Sequence, residues 1–175
     1  MLTYLMSLRS DPLHDFFHDK KKHEFRRKFT DFTQYSPPAS DTVGELFPDI
    51  EKSRDPFEDG IIRCIIYESD KAMAITADAY FGKPIQGTIN DMLKLLPENP
   101  SETRDGMENY FSGAYLCTAL PIMHISRIKP ITLSELRRLV PGFVAPQNYH
   151  VLTGNNHHAL KRLIDERIPL QMISR

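Results

Sequence analysis

The chain has 175 residues, with 22 basic against 23 acidic side chains, a net charge of −1 and 41% apolar residues. That is enough chain to bury a core, and its charges are too evenly balanced for general attraction to polyanions, so any such recognition has to be local. No apolar run reaches the ~18 residues of a membrane span, MLTYLMSLR lacks the basic flank and small-residue cleavage site of a signal peptide, and two cysteines without a CxxC or Cys–His cluster exclude a thiolate zinc site.

Leu2, Leu5, Met6 and Leu8 suggest a short helix or arm that something has to cover. Ser10-Asp11-Pro12 is a helix start, with a capping oxygen and a proline in the first turn, where its missing N–H costs nothing. The helix is expected to run to about Gln34, ahead of the extended Pro37-Pro38 loop. Asp41 caps a short helix carrying Val43, Leu46 and Phe47. Ile61 to Tyr67 is apolar on both faces except at Arg63 and reads as a central strand. A turn over Glu68–Lys71 returns it into a second strand through Met73, Ile75 and Ala77. Thr88 caps a helix stopped at Pro97, and Ser101 caps an amphipathic helix through Met107, Tyr110, Phe111, Ala114 and Cys117. A third strand follows over Ile122–Ile128, and then a capping box, Thr132-Leu-Ser-Glu135, with Ile131 and Leu136 as its hydrophobic staple. Tyr149–Thr153 is a fourth strand, a last helix carries Ala159, Leu160, Leu163 and Ile164, and Ile168–Ile173 adds an edge.

The expected fold is therefore α+β: a small mixed or antiparallel sheet seeded by a 61–78 hairpin, packed by several short helices, with a long N-terminal helix. The chain reads as one domain over 1–175, with a helical segment over 1–34 able to project from a compact core over 41–175. Both cysteines, Cys64 and Cys117, read as small core residues of a cytoplasmic protein in a reducing compartment.

Function is sought in the N-terminal segment. On a helix, Leu13, Phe16 and Phe17 fall within about 60° of Lys20, whereas Phe25, Phe29 and Phe32 fall at about 120–180°, so the apolar stripe jumps by roughly a third of a turn. Three explanations compete: the helix kinks or breaks near Lys20–Lys22, it sits between two partners, or one greasy line faces a different molecule as a docking surface. Phe16, Phe17, Phe25 and Phe29 would supply the anchors and Arg26 and Arg27 the polar rim for a protein partner or a second copy of the chain. The expected function is a non-enzymatic regulatory interaction without a cofactor. The alternative is nucleic-acid binding by Lys20, Lys21, Lys22, Arg26, Arg27 and Lys28, six basic residues within nine. His14 and His18, at i and i+4, are a candidate metal pair.

Catalytic signatures are sparse: the chain has no G-x-G-x-x-G, Walker A, G-x-S-x-G or H-E-x-x-H. His124-Ile-Ser126 is similar to one half of the His-x-Ser/Thr pair of 2H-type phosphoesterases. That resemblance implies a second histidine as the acid–base partner, and His150, followed by Val-Leu-Thr153, stands one residue out of pattern. Arg63, alone among apolar neighbours, requires an acidic partner or a ligand.

Overall fold

A computed structural model describes residues 3–27, 61–97, 102–152 and 157–168. Among the described residues the chain forms seven strands, β1 Thr3–Leu8, β2 His23–Arg26, β3 Ile62–Glu68, β4 Ala74–Phe81, β5 Ile85–Gly87, β6 Cys117–Thr132 and β7 Tyr149–Val151. Five short helices accompany them, α1 Ser10–Phe17, α2 Ile89–Leu93, α3 Arg104–Phe111, α4 Leu133–Leu139 and α5 His158–Asp165. None of the described helices is long and apolar enough to cross a membrane.

The strands make one strongly curled half-barrel in the order β2-β6-β4-β3-β1-β7, with β5 also paired to β6. β1 is the interior strand of its end of the sheet. It runs parallel to β3, with Leu5 opposite Ile65, and antiparallel to β7, with Leu5 opposite His150. All six of its residues are buried, as a strand covered on both faces requires. β3 and β4 form the antiparallel hairpin, with Cys64 opposite Ala79.

The curl is centred on β6. Its first residues pair with both β2 and β5 through Ala119, and the rest pairs with β4. Register breaks opposite Ile75/Ala77 and Tyr80/Phe81 bend it between the two partnerships. Alternation then feeds separate cores. Tyr4, Met6, Cys64, Ala79 and Phe81 pack with Leu13 and Phe16 of α1 on one face. Leu5, Ile65, Ile75 and Ile131 pack with Leu136, Leu160 and Ile164 of α4 and α5 on the other. Phe25, Ala119 and Cys117 join Met92, Met107 and Phe111 in a third cluster under α2 and α3.

Two expectations are overturned. The sheet is large and curled, and the N-terminal segment is not a long helix. α1 has eight residues. It closes where Lys20 N–H bonds back to the Asp15 carbonyl at 3.0 Å, with Asp19 in the left-handed region at φ 56°. A short aspartate tolerates that conformation better than most residues. The one-third-turn jump in the aromatic stripe is the place where helix gives way to strand: Phe16 points into one core and Phe25 into another. The helix through Cys117 is also shorter than expected. α3 stops at Phe111, followed by Gly113 at φ +74°, and Cys117 opens β6. The end of the expected first helix, the Asp41 helix, the Ser101 cap and the strand beyond Ile168 lie outside the described residues.

The local stop and start signals do act. Thr132 Oγ1 accepts from Glu135 N–H at 3.3 Å, with Ile131 and Leu136 fully buried beside it. Thr88 and Asp91 form a reciprocal capping box. At α1 the cap comes from across the sheet, where Ser10 N–H donates to Asp70 Oδ1 at 2.8 Å.

Candidate functional site

β2 is only four residues long and sits at one end of the strand order, while β1 and β7 occupy the other. Because side chains alternate along a strand, Glu24 and Arg26 leave β2 on the face opposite Phe25. Opposite them on β6 stand Leu120 and Thr118, both buried. There Arg26 bridges the two ends of the curled sheet. Its guanidinium donates to Asn148 Oδ1 at 2.7 Å, just ahead of β7, and to the Ser7 carbonyl of β1 at 2.9 Å. The same group lies 3.0 Å from Glu24 Oε1. The seam of the half-barrel is thus closed by one side chain, and Ser7 N–H bonding to the Asn148 carbonyl at 2.8 Å fixes the far bank.

Lys21 completes the cluster. Its ammonium lies 3.1 Å from Glu24 Oε2 and 2.5 Å from Glu102 Oε1, beneath the Phe16 ring at 5.2 Å. Lys21, Glu24 and Arg26 are all buried. Two cations and two carboxylates make the set neutral, which is how charges become tolerable away from water. Burial alone would lower the Lys21 pKa, but Glu24 and Glu102 outweigh it and hold the ammonium above its usual value. Arg26 Nε finds no partner among the described residues. Beside the cluster, burial pushes the Cys64 thiol far up against the opposing pull of Arg26. A lysine that keeps its proton and a thiol that keeps its own are not activated nucleophiles. What this arrangement does is hold β2 rigidly against the opposite edge.

The basic run is thereby split in two. Lys21 and Arg26 turn inward, while Lys20, Lys22 and Arg27 are exposed at the two ends of β2. Arg27 donates to the Ser112 carbonyl at 2.8 Å, which orients its guanidinium toward the end of α3. Phe16 and Phe25 are 3% and 6% exposed, so each is committed to the protein's own cores. Phe17 is half-buried, with the Arg127 guanidinium 4.2 Å over its ring. Lys28 and Phe29 lie outside the described residues.

The His14 and His18 rings are stacked at 3.9 Å with 18° between their planes, and His18 Nδ1 lies 2.8 Å from the His14 carbonyl. Near-parallel rings aim their nitrogens alongside one another and not at one point. No group of three His, Cys, Asp or Glu gathers around a common centre among the described residues. His124 on β6 and His150 on β7 have three strands between them, which is about 19 Å along the sheet at 4.8 Å per step. Arg63 has its acidic partners: a two-pronged pair to Asp78 at 3.0 and 3.1 Å, and Asp165 at 3.6 Å.

Glu102, Ser7 and Asn148 are members of the cluster that no sequence pattern marked, and Glu24 stood out only as one carboxylate among several on the expected helix. Only Glu24 and Arg26 carried a usable signal, since charges at i and i+2 share a face on a strand and not on a helix.

No protein-family model and no curated protein sequence matches the chain. Among solved structures it is similar to ASCH from Zymomonas mobilis, at a TM-score of 0.64 and 20% identity over 92% of this chain and 94% of that one. A serine-to-alanine mutant of that protein gives 0.66 and 19% over 94% and 96%, and a tyrosine-to-phenylalanine mutant 0.65 and 18% over 94% and 98%. The likeness is one of fold: the curled mixed sheet with few short helices is the architecture this chain shares with ASCH.

Proposed function

We propose that the chain binds nucleic acid across the seam, with Lys20, Lys22 and Arg27 contacting phosphates. The observation that carries this reading is the sorting of the basic run. The inward pair is neutralised by Glu24 and Glu102, and the three outward cations are left at the ends of a clamped strand. Lys22 and Arg27 are five residues apart, about 17 Å along extended chain. A molecule of net charge −1 has no general field to attract a polyanion, so these local cations have to supply the attraction. A protein partner seated on Phe16 and Phe25 is the weaker reading, because both rings would have to leave the cores that they fill.

The test is binding of a fluorescent oligonucleotide, read by anisotropy from 50 to 200 mM salt. Three phosphate contacts predict a loss of about 20- to 40-fold in affinity over that range. Replacing Lys20, Lys22 and Arg27 together by Glu should abolish binding while the far-ultraviolet circular dichroism stays unchanged. Affinity indifferent to salt, or undiminished in the triple variant, refutes the reading.

A further inference from the structure

Tyr115 is 98% exposed, in the turn between α3 and β6 that opens after Gly113. Its neighbours Tyr110 and Leu116 are 43% and 45% exposed. Three contacts bring this turn to the end of β2. The Arg27 guanidinium holds the Ser112 carbonyl, the Tyr110 hydroxyl donates to the Phe25 carbonyl at 3.4 Å, and the Phe25 and Phe111 rings meet edge-on at 6.4 Å. Tyr115 is three Cα–Cα steps from Ser112, so its Cα lies within about 11 Å of that anchor.

A phenol ring held out in water contributes nothing to the core. Its turn is tied through the Ser112 carbonyl to the Arg27 guanidinium, at the end of β2 away from the exposed Lys20 and Lys22. Charge complementarity selects a polyanion, and the flat ring selects one whose bases are free to stack. Single-stranded nucleic acid offers both, whereas a duplex hides its base faces. Resting on the function proposed above, we infer that the ligand is single-stranded, with a base stacked on Tyr115, Tyr110 alongside, and the adjoining phosphate on Arg27.

The experiment compares a labelled single strand of about ten nucleotides, within the span such sites cover, with a hairpin duplex of equal length. The wild-type protein should favour the single strand at least tenfold. Tyr115→Ala should weaken single-strand binding by about 5- to 150-fold, the loss of one stacked base. The same variant should keep the salt slope and the thermal midpoint, and Tyr115→Trp should retain affinity. If the wild type binds neither form, this inference falls together with the reading beneath it. If it binds both forms equally, or if Tyr115→Ala binds the single strand like wild type, the inference falls alone and the salt-dependent reading stands. A wild-type dimer in sedimentation that Tyr115→Ala converts to monomer assigns the patch to a second copy and overturns the inference.

Discussion

Arg26→Met tests the seam directly. Methionine fills similar space without a charge or a donor. The guanidinium contacts Asn148 Oδ1, the Ser7 carbonyl and Glu24 Oε1 from a site 8% exposed, so the substitution strands two oxygens and removes one of the two cations that balance Glu24. Breaking a buried pair from one side costs about 3–5 kcal/mol, a large share of the roughly 5–15 kcal/mol that holds a domain folded. For a chain of this length that is a fall of about 6–20 °C in Tm. Urea unfolding followed by circular dichroism and tyrosine emission gives the loss, and there is no tryptophan to interfere. Arg26→Lys should recover only part of it, since an ammonium cannot fork to Asn148 and Ser7 together. Adding Glu24→Leu to Arg26→Met leaves Lys21 paired with Glu102 and no stranded carboxylate, so the double variant should be less destabilised than the sum of the singles. A loss below about 1 kcal/mol, within the range of an ordinary surface pair, or strict additivity in the double variant, refutes the view that Arg26 closes the barrel.

Two further outcomes follow from burial. Cys64 and Cys117 are both fully buried and their thiols are pushed up by it, so a thiol reagent at pH 8 should label neither in the native protein and both in denaturant; rapid native labelling contradicts this packing. Burial lowers the His23 pKa, helped by Lys22 and opposed by a bond with the Leu95 backbone. Its contribution to stability is therefore complete above the unfolded value of about 6.5 and is lost as pH falls through the folded value. Replacing His23 by Gln should flatten the decline in stability between pH 7 and pH 5, measured by urea titration, and an unchanged slope removes His23 from the account.

The β3–β4 hairpin was legible because seven residues, apolar except at Arg63, can be buried on both faces only as an interior strand. The boundaries of β6 were not. The apolar pattern marks only Ile122–Ile128, and prolines at 121 and 130, which cannot donate to a ladder, stand inside the longer strand. The sheet accommodates Pro121 opposite His23 at the edge strand and Pro130 within a register break, and the strand runs on past both. β1 gave no period to read, because every one of its residues is buried. The end of α1 was hidden because aspartate, not glycine, takes the left-handed turn. At the site, the basic run overlaps the segment that holds the buried charge cluster. Which cations turn inward is decided by Asn148, 122 residues from Arg26, and by Glu102, and such long-range pairing leaves no local trace.

The place of β1 has a consequence for synthesis. Its neighbours on the sheet lie 60 residues downstream at Arg63, opposite Thr3, and 145 downstream at His150, opposite Leu5. At 5–20 residues per second the ribosome delivers the second of them roughly 7–30 s after the first strand. Through that interval an apolar ribbon with an unpaired edge waits in the nascent chain, the kind of exposed edge that recruits chaperones or wrong partners. The half-barrel can close only when its final strand arrives.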